Sequence, residues 1–160
     1  MLTVNGDRLW ERLMDMAKIG ATSKGGVCRV ALTDEDRYGR NLFIQWCENI
    51  GCTVVVDQLG NIFARRAGHD SEAAAIMIGS HLDSQPTGGK YDGALGVLAG
   101  LEVLETLNDN QITTSVPIEI VSWTNEEGAR FSPAMVASGV FSGNFTLDYA
   151  YSRTDKQGRA

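Results

Sequence analysis

Near the start of the chain, apolar residues recur at helical spacing. Leu9, Leu13, Met16 and Ala17 stand at i, i+4, i+7 and i+8, which predicts an amphipathic helix over 7–19. Thr33-Asp34-Glu35-Asp36 resembles a capping box with Asp in place of the usual Glu. Leu42, Ile44, Trp46 and Ile50 follow it and Gly51 is the stop, so a second helix is predicted from about 34 to 50. The pattern then shortens. Thr53–Val56 and Asn61–Arg65 read as two strands of a hairpin turning at Asp57-Gln58-Leu59-Gly60. After a polar loop at 68–72, residues 74–79 form a continuous apolar run, which suits a strand buried on both faces. Residues 93–107 carry Leu95, Leu98, Ala99, Leu101, Val103, Leu104 and Leu107, a mostly buried helix. Residues 116–123 are a further strand, with Pro117 near its start, where it costs least.

Strand, helix and strand over 74–123 make a βαβ unit, so its strands should be parallel with a right-handed crossover. The expected fold is α/β, a largely parallel central sheet flanked by helices. Residues 154–160 read as the start of a helix that has built no apolar face, so the chain reads as cut short.

Composition narrows the partners. At 160 residues the chain is long enough to bury a core, and 43% hydrophobic with 21% charged residues is ordinary for a globular domain. A net charge of −6 with no basic cluster argues against nucleic acid or an anionic membrane as partner. No apolar run reaches the roughly 18 residues of a membrane span, and the first residues lack the pattern of a signal peptide. Cys28, Cys47 and Cys52 are odd in number and lie in apolar or helical surroundings, which fits reduced thiols in a cytoplasm.

The chemistry gathers where ligands bind in open α/β sheets, beyond the carboxyl ends of strands. His81 and Asp83 follow one predicted strand, Glu126 and Glu127 follow the other, and Asp92 opens the helix between them. Singly, each has an ordinary role: a loop histidine, a turn cap, a helix N-cap at Asp92, a solvated glutamate pair. Together they bring four carboxylates to one sheet edge, where a divalent cation would resolve their repulsion. Zinc takes His nitrogen and Asp or Glu oxygen. Asp83 is placed to accept the second imidazole N–H of His81. Gly88, Gly89 and Gly93 allow close turns around the site, and adjacent glutamates on a loop point different ways, so one can bind metal while the other serves as base. Gly88-Gly89-Lys90 is followed by Tyr91 and makes no phosphate loop, no Gly-x-Ser-x-Gly elbow is present, and His69 reads as a surface residue.

The segments GSHLDSQPTGGKYDGALGVLAGLEVLETL and VPIEIVSWTNEEGARFSPAMVASGVFSG closely resemble the N-carbamoyl-L-amino-acid hydrolases, ureidopropionases and allantoate amidohydrolases. These form the hydantoinase/carbamoylase branch of the M20 metallopeptidase-like enzymes. The resemblance runs through essentially all of the chain. It implies a zinc-exopeptidase-like catalytic domain with two divalent metal ions, zinc first, with manganese, cobalt or nickel as alternatives. By resemblance His81 binds the first metal, Asp92 bridges both, Glu127 binds the second, Glu126 is the general base and Asp83 orients His81. Members are longer, and each metal takes another histidine from downstream, whereas this chain has none after His81. The expectation is therefore that 1–160 is the N-terminal part of the catalytic domain, with the rest of that domain and the dimerisation domain of a homodimer outside it. The implied substrate is a small ureido acid, an N-carbamoyl-L-amino acid or allantoate. An M20-type aminopeptidase or dipeptidase is the alternative, and a non-catalytic remnant is the reading from a different class.

Overall fold

In a computed structural model, residues 2–160 are described. Their elements run α1 Gly6–Lys18, α2 Asp34–Asn49, β1 Thr53–Val56, β2 Ile62–Arg66, β3 Ile76–His81, α3 Ala94–Asp109, β4 Ile118–Trp123, α4 Val136–Phe141 and α5 Leu147–Tyr151. Both early helices start on side-chain caps. The Asn5 carboxamide accepts the Arg8 amide at 3.1 Å, and the Thr33 hydroxyl accepts the Asp36 amide at 3.4 Å. Asp36 reaches back one residue further than a capping box requires, to the amide of Leu32 at 2.9 Å.

The sheet has the order β1-β2-β4-β3. β1 and β2 form the expected hairpin, with Thr53 opposite Arg65 and Val56 opposite Ile62. β2 is also antiparallel to β4, and only β3 and β4 are parallel, from Ile76 beside Ile118 to His81 beside Trp123. The sheet is therefore mixed rather than largely parallel. The hairpin's returning strand takes the place beside β4, and its direction is opposite to that of the βαβ unit. β3 lies at the sheet edge, with Ile76 57% and Met77 39% exposed, so it is not buried on both faces.

α3 covers one face of the parallel pair. A side chain at Gly96 would come within 2.8 Å of Ser80, and one at Gly100 within 3.3 Å of Ile120 and 3.5 Å of Ile78. These two glycines, one helical turn apart, let the helix backbone approach the strands. The core beneath joins Leu13, Met16, Phe43, Trp46, Ile62, Leu98, Leu101, Leu104 and Ile120. On the other face, Phe63, Trp123 and Phe141 form an aromatic cluster with ring centroids 5.0–6.0 Å apart.

α4 and α5 were not predicted, being only six and five residues long. The helix expected at 154–160 is instead a turn around Asp155, whose carboxylate accepts the amides of Gln157 and Arg159 and pairs with Arg130 at 3.3 Å. Cys47 and Cys52 are buried, free thiols, and burial pushes both up, Cys52 to about 11. No helix of the described residues is long and apolar enough to cross a membrane.

α1 is held on α3 by charge. Glu102 is only 2% exposed. It takes Arg8 Nε at 2.7 Å and Nη2 at 3.0 Å, the Asn5 amide at 2.7 Å and the Thr106 hydroxyl at 2.7 Å. Arg12 pairs with Glu105 at 2.7 Å and lies over the Trp46 ring at 4.6 Å. Burial alone would raise the Glu102 pKa, but the donors from Arg8, Thr106 and Asn5 outweigh it and hold the carboxyl below its ordinary 4.5. A depressed folded pKa stabilises the fold above about pH 4.5, and that stability is lost as pH falls through the folded value. Glu102→Ala should cost about 3 kcal/mol at pH 7, the low end for breaking a buried pair because Arg8 keeps some solvent. In urea melts, the gap between wild type and Glu102→Gln should shrink as pH falls from 7 to below 4; a constant gap would show that the pairing does not depend on the carboxylate's charge.

Candidate functional site

The site starts where β3 ends. His81 is the last residue of that strand and is 6% exposed. The loop after it is tied down by a segment far earlier in the chain. The Arg29 guanidinium is 1% exposed and donates to the carbonyls of Leu82 at 3.0 Å, Met16 at 3.1 Å and Ile19 at 3.1 Å. The Ser84 amide donates to the Arg29 carbonyl at 2.8 Å, and the Arg29 amide donates to the Ser84 hydroxyl at 2.8 Å. Val27 and Gly88 exchange backbone hydrogen bonds at 2.9 and 3.0 Å. Burial lowers the Arg29 pKa, and the nearby carboxylates of Asp36 and Asp83 oppose that shift. Sequence reading passed over Arg29; a single cation inside the apolar run Val27–Leu32 was the available signal.

The His81 imidazole rests on bare backbone. A Cβ built at Gly93 would sit 2.5 Å from Cε1, Nδ1 and Nε2 of the ring, and Gly93 has φ +65°. Glycine is required there on both counts. His81 Nδ1 lies 2.9 Å from the main-chain carbonyl of Asp83. The Asp83 carboxylate is 3.9 Å from that nitrogen. It accepts instead the backbone amides of Glu126 at 3.1 Å and Glu127 at 3.3 Å. The carbonyl, not the carboxylate, thus meets the second imidazole nitrogen. Burial raises the Asp83 pKa, and the two amides and His81 pull against it.

The other imidazole nitrogen faces two carboxylates. Nε2 is 3.2 Å from Glu126 Oε2 and 3.8 Å from Asp92 Oδ1. The Asp92 side chain is 61% exposed. It does not cap α3: the N-cap position belongs to Gly93, which makes no side-chain cap bond. Glu127 points elsewhere. Its Oε2 accepts the Gln85 carboxamide at 3.0 Å, while its Oε1 is buried with no hydrogen-bond partner among the described residues. His69, exposed, lies at the opposite end of the parallel pair, its amide bonded to Thr114.

The glutamate pair stands at the neck of a closed loop. Thr124 donates its amide to the Asn61 side chain at 2.9 Å. Asn125 takes φ +52°, a conformation Asn tolerates, and its carboxamide bonds both the carbonyl and the amide of Phe131, at 2.7 and 3.3 Å. The Met135 amide closes on the Glu126 carbonyl at 2.7 Å. Asn125 and Gln85 were also passed over, because loop amides carry no periodic signal.

Chemically the arrangement offers one imidazole and four carboxylates at the carboxyl end of the parallel pair. No three His, Cys, Asp or Glu side chains among the described residues converge as a ready-made cage for an ion. The donors fit a divalent metal centre in kind, and one buried oxygen of Glu127 has no protein partner among the described residues. In number they supply part of such a centre.

Residues 77–157, half of the chain, match Peptidase family M20/M25/M40. The chain is 57% identical over 157 residues to an N-carbamoyl-L-amino-acid amidohydrolase of Rhizobium meliloti, covering 98% of this chain and 38% of that protein. It is 35% identical over 143 residues to an allantoate amidohydrolase of Bacillus subtilis, covering 89% of this chain and 35% of the relative. A crystal structure of a putative amidohydrolase/peptidase from Burkholderia cenocepacia superposes with a TM-score of 0.99 at 63% identity, over 100% of this chain and 39% of that one. The chain belongs to the M20/M25/M40 family, on the branch of the hydantoinase/carbamoylase amidases. It spans about two fifths of the length of the relatives it matches.

Two predictions test the construction. Gly93→Ala should destabilise the fold by about 1–3 kcal/mol through backbone strain alone and displace the His81 ring. Urea melts with the His81 ring signals in NMR read both, and unchanged signals would mean the ring does not rest on Gly93. Asp83→Ala should leave the amides of Glu126 and Glu127 without their acceptor. Hydrogen exchange at those two amides should accelerate while exchange in α3 stays as it was; equal protection would assign their hold to another group.

Proposed function

We propose that this chain carries part of the catalytic face of a metal-dependent amidohydrolase that cleaves the ureido group of N-carbamoyl-L-amino acids or of a related ureido acid such as allantoate. The observation that carries the proposal is the meeting of His81 Nε2 with Glu126 at 3.2 Å and Asp92 at 3.8 Å, together with the unpartnered oxygen of Glu127. The 57% identity to an N-carbamoyl-L-amino-acid amidohydrolase supports the substrate class.

His81, Asp92 and Glu127 would hold two divalent ions, zinc first, with Asp92 as the shared ligand. Such ions, when bound, supply Lewis-acid polarisation of the ureido carbonyl and of water. Glu126 takes the proton of the attacking water and delivers it to the leaving nitrogen. Its Oε2 is the carboxylate oxygen nearest the His81 nitrogen, which suits a base beside the first ligand. Asp83 holds the glutamate pair by its backbone, so base and ligand are set by one buried carboxylate. With an N-carbamoyl amino acid and water, the products are the amino acid, ammonia and carbon dioxide.

Three donors do not complete two metal sites. The 38% coverage of the Rhizobium relative supports placing the remaining ligands, the substrate-binding groups and a dimerisation domain in the remainder of a longer protein, a homodimer. The free thiols suit a reducing cytoplasm.

Assaying the longer protein on N-carbamoyl-L-amino acids, allantoate and dipeptides tests the reading. Turnover of dipeptides alone would overturn the ureido assignment in favour of a peptidase. In that protein, Glu126→Gln should keep both metals by elemental analysis and lower kcat on the order of 10²–10⁴-fold. A wild-type rate would remove Glu126 as the base.

A further inference from the structure

Gln85 is the one hydrogen-bond donor to the Glu127 side chain among the described residues. Its carboxamide donates to Oε2 at 3.0 Å across 42 residues of chain. The other oxygen, Oε1, is buried and bonded to nothing described. A buried carboxylate oxygen without a partner costs free energy unless something in the working protein meets it, and a cation does so best. We propose that Gln85 is a positioning residue, which fixes Glu127 through one oxygen so that the other is presented to a divalent cation. The proposal rests on the reading of Glu127 as a metal ligand.

Gln85 is exposed and so is the contact, but three features hold the segments that it joins. The donor sits on a rigid turn: the Gln85 carbonyl accepts the Ser84 hydroxyl at 2.9 Å and the Gly88 amide at 3.2 Å. Ser84 is 1% exposed and doubly tied to Arg29. The far end of Glu127 is also held, its amide on Asp83 Oδ2 at 3.3 Å. Both ends of the glutamate are therefore anchored, and its free oxygen is the one left for a ligand. The chemistry of the amide suits the task. A lysine or arginine at this position would neutralise Glu127 and repel a cation, and a carboxylate would repel Glu127 itself. A neutral N–H donor orients the carboxylate and leaves its charge intact.

The test uses the full-length hydrolase of the proposed function, stripped of metal and titrated with zinc and with manganese against a chelator of known affinity. Gln85→Leu, Glu127→Ala and the double variant are compared with wild type. Gln85→Leu should weaken one of the two ions about 10- to 100-fold and leave the other unchanged, with the same thermal midpoint as wild type when metal-free. The double variant should bind as Glu127→Ala does, because Gln85 acts through that carboxylate. Wild-type affinity in Gln85→Leu, equal weakening of both ions, or a further loss when Gln85→Leu is added to Glu127→Ala would each overturn the proposal. If Glu127→Ala keeps both ions at wild-type affinity, the ligand reading itself fails and this proposal falls with it.

Discussion

The site depends on a single buried carboxylate. Asp83 follows β3, Glu126 and Glu127 follow β4, and the Asp83 side chain accepts both glutamate amides. Parallel pairing brings the two strand ends level, with His81 beside Trp123, but it does not orient the loops beyond them. The carboxylate does. It fixes the glutamate backbone in one place, and the two side chains then leave in different directions, one toward His81 and one toward Gln85. Burying this charge is tolerable because it is met by two amides and lies near the guanidinium of Arg29.

The rest of the structure keeps that arrangement stiff. Arg29 bonds the exit of β3 to the end of α1, and α1 is itself held on α3 by the Arg8–Glu102 pair. α3 lies close on the sheet through Gly96 and Gly100 and presents Gly93 under the imidazole. A helix that stood further off would leave the ring room to rotate. Close packing below the site and hydrogen-bonded loops above it thus hold His81 Nε2 near Glu126 and Asp92 and tie the Glu126–Glu127 backbone to Asp83.

Structural carboxylates are ordinarily paired, as Glu102 is with Arg8. Two carboxylates of the candidate site differ from this pattern of pairing. Glu127 keeps a buried oxygen free, and Asp92 is exposed and caps nothing. The Asp92 carboxylate is open to solvent, and the buried Glu127 oxygen is the one for which a divalent cation is proposed.

Much of this was legible in the amino-acid sequence. The 3.6-residue period set α1, α2 and α3 to within two residues, and two short strand-forming runs around the turn Asp57–Gly60 set the hairpin, because these signals are local. The residue types at 81, 83, 92, 126 and 127 marked a candidate site only in combination, because three segments bring them to the same sheet edge. What tertiary structure alone decided is everything that joins distant segments. The hairpin could have paired anywhere; its place beside β4 made the sheet mixed and left β3 at an edge. The spacing of His81 and Asp83 is the same whether carbonyl or carboxylate meets the imidazole, and only the approach of the Glu126–Glu127 backbone drew the carboxylate away. Arg29 and Gln85 carry no periodic signature, and their roles appear only once residues tens of positions apart are packed within 3 Å or so of one another; the Asn125 bond to Phe131 spans six residues and depends on the shape of its own loop. Periodicity reports which face of an element is buried; it does not report what lies across the gap.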